Sequence, residues 1–433
     1  PGLEPDRDIA KDFKATAAEI KAVRDAGITA VLVAPTRGLF RGLSALIPLR
    51  DDVDGSMALR RPVAEHVGYQ GSPGGYPATL LGVIAYQRQS FYDAQRQGIL
   101  QDRYKANPRG MERPEVDAGL DALVPVVRGQ VPAFIDANNE NEIRRAVRLA
   151  KEFNLKSTIV GATEGWMATD ALLGRSAIVS VNFPQAAAVT GWSFRLSQRG
   201  APGDSAAAAR EATKLIEGNA GALNRAGIKF ALASGGSAPA AFLTNARKAV
   251  AAGLPADVAL QAMTQRAAEA AGAGDILGSI EAGKIANLVV SNGDLLADSA
   301  RISAVFVDGI RYEVAPPPAA RPGGAGPGGA NAPAQIGGAW ALTLTSPQGP
   351  LDITMTVTQV GVGFSGTMAS QLGTQEIGDG QIVGKTVTWT SVVQFGGQSI
   401  TLTYRGEVDG TKMTGTAELG SFGNATFTAE KKP

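Results

Sequence analysis

The sequence contains no cysteine and a single histidine, His66, in 433 residues. The first absence excludes disulfides, thiolate-bound zinc, iron–sulfur clusters and cysteine nucleophiles. The second excludes metal sites built from two or three histidines of one chain, and most serine–histidine arrangements with them. Charge of one sign is missing too: 41 Lys and Arg stand against 40 Asp and Glu, a formal net charge of +1. Such a balance lacks the basic footprint of a nucleic-acid binder, so no nucleic-acid partner is expected. No apolar run reaches the roughly 18 to 20 residues that a membrane helix needs, so no membrane span is expected. Aromatic residues make up only 6%.

What is present is a 44% apolar chain with 54 Gly and 24 Pro, enough for a large core with many turns. Length alone suggests about three domain-sized units. The clearest boundary is Ala315 to Gln335, where every residue except Arg321, Asn331 and Gln335 is Pro, Gly or Ala. That composition has no apolar period to bury and predicts a linker.

Before the linker, segments of helical period alternate with short apolar runs. Ala15 to Ala26 reads as a helix that leads into the strand Gly27 to Val33. The strand Pro132 to Ile135 is followed by a helix from Glu140 to Phe153, with Ile143, Val147 and Ala150 on one face, and then by Ser157 to Val160. Ala177 to Val181 reads as a strand, Ala206 to Ala226 as a helix and Ile228 to Leu232 as a strand. Two further helices are expected at Pro239 to Ala252 and Ala256 to Ala271. Repeats of this kind predict a parallel sheet, open or closed. From Ile276 to Val314 the pattern shifts to short strands with an Asp308-Gly309 hairpin turn. After the linker, Ile336 to Pro433 alternates with period two and has room for about eight strands, which predicts a small antiparallel barrel or sandwich. Trp340, Trp389 and Tyr404 fall on those strands and read as core, with carbohydrate or partner contact as the alternative.

The run Leu277-Gly278-Ser279-Ile280-Glu281-Ala282-Gly283-Lys284-Ile285-Ala286-Asn287-Leu288-Val289-Val290 closely resembles the C-terminal signature of the amidohydrolase superfamily, in its imidazolonepropionase-like branch. Gly27 to Ser44 and Val131 to Trp166 resemble secreted bacterial members. The resemblance therefore covers about Gly27 to Val314. It implies an α/β fold: a (β/α)8 TIM-type barrel over residues 1–275, a small β-sandwich return at 276–314, the linker at 315–335 and a separate all-β antiparallel barrel or sandwich at 336–433. Because the chain opens at Pro1 without Met or a signal peptide, a processed or truncated N-terminus is expected. A first barrel strand upstream of it, and a periplasmic or secreted location, go with that expectation.

The family holds one or two metal ions through a His-x-His pair on the first barrel strand, Lys or Glu on the fourth, His on the fifth and sixth, and Asp on the eighth. This sequence has no His-x-His. Asp136 stands at the place of one family His, Gly161 or Ala162 at that of another, and Gly235 at that of the Asp. The resemblance thus implies a kept barrel with an erased metal site.

The remaining candidates are a pocket of Asp136, Asn138, Glu164 and Ser234. Asp136 and Glu164 both follow strands at what should be the chemical face of the barrel. Two carboxylates can hold Mg²⁺ or Ca²⁺ or act as acid and base. They can equally cap the following helix and pair with a basic neighbour, as Asn138 and Asn139 can cap or turn. Ser234-Gly235-Gly236-Ser237 can hold an anion on backbone N–H groups, or be a remnant of the eighth-strand loop. His66 is expected in a structural or surface role. Gly71 to Pro77 reads as a loop into a helix at Ala78 to Ala94, with a lid or an interface as the alternative.

The expected function is a non-catalytic subunit or half of a larger secreted amidohydrolase assembly. It would form a homo- or hetero-oligomer with a metal-bearing amidohydrolase chain as partner, and no cofactor of its own. The alternative is an active metal-dependent hydrolase of C–N bonds in non-peptide or cyclic amides, its divalent metal (Zn, or Mg/Ca through carboxylates) held by ligands that another chain or an upstream segment completes.

Overall fold

The computed structural model describes residues 3–69, 76–183, 213–315, 334–346, 349–360, 363–371, 373–395, 398–418 and 424–432. The chain divides into two compact units, Pro1–Pro318 and Ala319–Pro433.

In the first unit, a six-stranded sheet has the order β2-β4-β5-β6-β7-β8. Its strands are β2 (Phe40–Leu43), β4 (Glu65–Val67), β5 (Ala133–Ala137), β6 (Ser157–Gly161), β7 (Ser176–Ser180) and β8 (Phe230–Ala233). From β4 to β8 all neighbours run parallel, whereas β2 is antiparallel to β4. The βα repeat is set by local signals. After β5, Asn139 caps the helix Glu140–Glu152 and forms a capping box with Glu142, so the chain leaves the strand and turns at once into the helix. That helix buries Ile143, Ala146, Val147 and Ala150 against Ala133, Ile135 and Ala137 on one face of the sheet. Phe134 faces the other way, into a cluster with Leu46, Ala268, Ala271 and Leu277, against which Val160 and Ile178 pack. By the two-residue period of a strand, Asp136 lies on the Phe134 face, one step nearer the C-terminal end.

Several elements differ from the sequence reading. Gly27 to Val33 was expected as a strand of the parallel sheet. Its strand β1 (Ala30–Val33) instead pairs antiparallel with β3 (Ala45–Pro48) in a separate two-stranded sheet. A continuous β-branched run signals burial on both faces but not the partner. The helix expected at Ala256 to Ala271 is two helices, Ala256–Met263 and Gln265–Ala270, broken at Thr264 with φ −120° and ψ −88°. The helix expected at Ala78 to Ala94 runs from Leu80 to Ala106. Of the stretch Ala206 to Ala226, residues 206–212 lie outside the described residues, and Asn219–Arg225 is helical. The loop at Gly71 to Pro77 lies outside them up to residue 75, as does the proline- and glycine-rich stretch from 316 to 333.

The chain returns through β9 (Leu288–Ser291), β10 (Ile302–Val307) and β11 (Ile310–Glu313), an antiparallel sheet with β10 in the centre. Asp308 and Gly309 turn the last hairpin with φ of 51° and 76°. Two positive φ values in succession match the twist of the flanking strands, which is why Asp-Gly is favoured there.

The second unit is a closed barrel in which β12 (Gly338–Ser346), β13 (Gly349–Val360), β14 (Gly363–Ser370), β15 (Gly373–Val383), β16 (Thr386–Phe395), β17 (Gln398–Asp409), β18 (Lys412–Glu418) and β19 (Asn424–Lys431) follow in order. Antiparallel pairing of β12 with β19 closes it and leaves no sheet edge. Trp340, Met355, Trp389, Tyr404 and Phe427 fill the interior, each at most 1% exposed. Trp389 and Tyr404 stack at 4.9 Å with an interplanar angle of 1°. That burial removes carbohydrate or partner contact as a role for Trp340, Trp389 and Tyr404.

Candidate functional site at the strand ends

The C-terminal ends of β4 to β8 gather most of the residues singled out from the sequence. Asp136 is held by Arg41 of β2, whose Nη1 donates to Asp136 Oδ2 in a salt bridge. The Arg41 side chain is 11% exposed and its Nε also donates to the Gly38 carbonyl at 3.1 Å. A Cβ on Gly68 would overlap that guanidinium, so Gly68 makes room for it. Burial raises the Asp136 carboxyl above its ordinary pKa, while the charge and hydrogen bond of Arg41 pull it back down.

Glu164 serves a different helix. Its Oε2 accepts from the backbone N–H of Glu140 at 2.9 Å, and its own N–H donates to the Asn138 carbonyl at 2.8 Å. These bonds satisfy an otherwise orphaned donor in the first turn of Glu140–Glu152 and put a negative charge at the positive helix end. Asn138 Oδ1 accepts from the Thr163 hydroxyl at 3.1 Å, tying the two loops together. The fold therefore brings the loops of Asp136, Asn138 and Glu164 together and engages each side chain in internal bonds.

Ser234 offers its carbonyl, not its hydroxyl, to this corner: it accepts from the Ser237 N–H at 3.1 Å and the Ser237 hydroxyl at 2.8 Å. Gly235 follows with φ +60°. Its carbonyl accepts from Asn182 Nδ2 at 3.0 Å, and a Cβ at Gly235 would overlap Ser180 Oγ.

His66 lies within β4, 5% exposed, edge-on to Phe134 at 5.4 Å between ring centroids. A surface role for it is thus corrected: it is a core residue on the inner face. Its Nε2 is buried without a hydrogen-bond partner. Burial, and then the Arg41 charge, pull its pKa down to about 3, so it is neutral at any physiological pH.

Sequence reasoning missed Arg41 and Glu65. Their signal was available: Arg41 interrupts the apolar stretch Leu39 to Leu49, and Glu65 sits beside His66 inside Val63 to Val67.

Residues 195–311 match the model of the amidohydrolase family. An amidohydrolase from Thermotoga maritima superposes with a TM-score of 0.60 at 20% identity, over 72% of this chain and 79% of that one. Residues 195–311 thus resemble the amidohydrolase family, and the α/β unit shares the fold of the solved amidohydrolase. The likeness gives it the family's TIM-barrel fold, of which the described residues show an arc of five parallel strands and one antiparallel strand. Two further solved structures match over about half their length or less: a Xaa-Pro dipeptidase with bound methionine in its active site (TM-score 0.32, 21% identity, 47% of this chain and 49% of that one), and the A. niger ochratoxinase (0.32, 14%, 44% of each). No curated protein sequence matches the chain.

In this chain the strand-end residues do not fit the divalent metal that amidohydrolases usually hold. Among the described residues, no group of three or more His, Asp or Glu side chains could hold an ion. The carboxylate that remains, Asp136, is neutralised by a guanidinium that would itself repel a cation. Gly161 brings no donor, and a Cβ there would overlap Asn138 Oδ1; Ala162 is buried and apolar; Gly235 is packed on Ser180. Neighbouring side chains fill the space in which ligands would have to project.

Proposed function

We propose that this chain is an amidohydrolase scaffold without a metal centre of its own, acting as the non-catalytic subunit or half of a larger assembly. The single observation that carries this reading is the Arg41–Asp136 pair. A positive side chain, bonded to the Gly38 carbonyl and given room by Gly68, stands at the strand end at which the family places a ligand. The glycines at the other two positions, packed on Asn138 and Ser180, support the same reading. The scaffold keeps a face on which a metal-bearing amidohydrolase chain can rely for folding or substrate capture. Resemblance to secreted bacterial members supports a periplasmic or extracellular site of action.

The test is metal retention and turnover on the purified chain. After incubation with zinc and extensive dialysis, metal content should fall far below one ion per chain, with no hydrolysis of lactams, dipeptides or hydantoins. Retention of one ion per chain, together with turnover that is lost in Asp136→Ala, would overturn the proposal.

A further inference from the structure

Glu65 lies one strand in from the β2 edge of the sheet, fully buried in β4 between β2 and β5. One oxygen, Oε1, accepts from the Gly42 N–H at 3.1 Å. The other, Oε2, is buried with no partner. A carboxylate in such a place loses its hydration and gains little in return.

On Gly42, its one hydrogen-bond donor, packs the segment Leu3 to Asp8, whose Asp6 charge reaches the Glu65 carboxyl. This segment lies along the outer edge of β2 through parallel bridges at Leu3–Phe40 and Asp8–Leu43. The Glu4 N–H donates to the Phe40 carbonyl at 2.9 Å and the Leu43 N–H to the Arg7 carbonyl at 2.7 Å. The contact is close at Gly42, where φ is +106° and a Cβ would overlap the Arg7 carbonyl. The charges around Glu65 do not help it ionise. On the covering segment, Asp6 repels it, Arg7 is shared by Glu4 and Asp12, and Asp8 pairs with Arg61. On β2, Arg41 is committed to Asp136, and on β4 His66 is neutral. β5 contributes Ala133 beside it, with no charge.

We propose that Leu3–Asp8 is a strap over the β2 edge, closed while Glu65 holds its proton and lifted when that carboxyl ionises. Burial pushes the Glu65 carboxyl well above the usual carboxylate range in the closed form. In the open form water reaches it and it titrates as an ordinary carboxyl. Below the ordinary pKa both forms are protonated and the strap stays down. Above it the open form sheds a proton that the closed form keeps, so the opening equilibrium rises about tenfold per pH unit until the closed form also ionises. Lifting uncovers the Phe40 carbonyl and Leu43 N–H, an edge to which another strand can add.

Hydrogen exchange on the full 433-residue chain, corrected for the chemical exchange rate, tests this between about pH 5 and pH 8. The amides of Glu4, Arg7 and Leu43 should lose protection by close to tenfold per pH unit over part of that range, and at each pH should exchange through a smaller opening, well ahead of those of Ile135 and Ile159. In Glu65→Gln the strap amides should keep constant protection. Asp6→Asn, which leaves the buried carboxyl in place but removes the charge that opposes its ionisation in the closed form, should leave the onset of opening where it is and end the rise at lower pH. If Glu65→Gln fails to fold, the unmodified chain and Asp6→Asn decide the matter. Constant protection of the strap in the unmodified chain would overturn the proposal, as would strap amides no less protected than those of Ile135 and Ile159, because only global unfolding would then expose them.

Discussion

The two units of this chain treat buried polarity in opposite ways. In the described residues of the terminal barrel, interior polar groups find partners: Trp340 Nε1 donates to the Ile336 carbonyl at 2.7 Å, Trp389 Nε1 to Met368 Sδ at 3.3 Å, and Ser391 bonds the Tyr404 hydroxyl at 3.4 Å. In the α/β unit, Arg24, Glu65, His66, Tyr69, Gln87, Ser157 and Asn287 each keep a buried side-chain atom without a partner. A meander in which each strand pairs with the next can sort apolar inward and polar outward residue by residue. A parallel sheet covered on both faces has no such outlet, and its strand ends are where this fold keeps polar groups for chemistry. Among the described residues, the barrel partners its interior polar atoms, whereas the α/β unit leaves several buried ones without a partner, on helices and strands alike.

The sharpest way to break the comparison is to make the barrel resemble the other unit by opening a hole in its core. Trp389→Ala removes an indole that is 1% exposed and stacked on Tyr404. The expected loss is about 3–5 kcal/mol, much of the stability of a unit this size. Urea unfolding read by hydrogen exchange should show β12 to β19 opening early while β5 and β6 stay protected. Equal weakening of both sets would show that the units do not respond separately.

How much of this could be read beforehand follows the same divide. The barrel strands, the Asp308-Gly309 hairpin and the repeat from β5 through the helix Glu140–Glu152 to β6 were readable, because each is encoded within a dozen residues by period, cap or turn chemistry. The pairing of β1 with β3 was not, since Ala30 to Val33 has the texture of a parallel strand and only tertiary contact decides its partner. At the site, Asp136 and Glu164 were visible as carboxylates after strands. What each does was not visible, because Arg41 lies 95 residues from Asp136 and the Glu140 N–H lies 24 from Glu164. Long-range partners turn a candidate ligand into an ion pair or a helix cap, and no local pattern reports them.

A second substitution asks whether the α/β site can be rebuilt. Gly235→Asp installs the residue type the family uses on its eighth strand. Gly235 has φ +60°, and its Cβ direction is filled by Ser180. The backbone conformation alone should cost about 1–3 kcal/mol, measured by urea titration, with no gain in zinc retained after dialysis. Tight zinc binding by this variant would show that the glycine is the only thing missing, and the comparison of a finished barrel with an unfinished site would then narrow to one residue.

A third prediction moves the α/β unit toward the barrel's condition. Glu65→Gln takes away the charge of a buried carboxyl whose pKa is raised by burial. The sign follows from proton counting. Below the ordinary carboxylate pKa both folded and unfolded chains hold the proton and the substitution changes little. Above it the unfolded chain releases the proton and the folded one does not, so the natural protein loses about 1.4 kcal/mol for each pH unit. The variant escapes that loss. It should therefore be the more stable form at neutral pH, with the advantage vanishing as pH falls toward 4, as thermal denaturation across pH would show.

The smallest effect is expected on the outside of the barrel. Thr428 is exposed on β19, with Thr343 of β12 and Thr414 of β18 directly opposite on its two sides. Such cross-strand pairs contribute about 0.2–1 kcal/mol each relative to alanine, so Thr428→Ala should lower barrel stability by an amount in that range, against the 3–5 kcal/mol expected for Trp389→Ala. The contrast matters because both residues sit in the same closed sheet and differ in which way the strand turns them. If the exposed threonine proved as damaging as the buried tryptophan, the barrel would owe its stability to its outer hydroxyl rows and not to its aromatic interior, and its difference from the α/β unit would lie on the surface. A small effect leaves that difference inside, where one unit has partnered its polar atoms and the other has not.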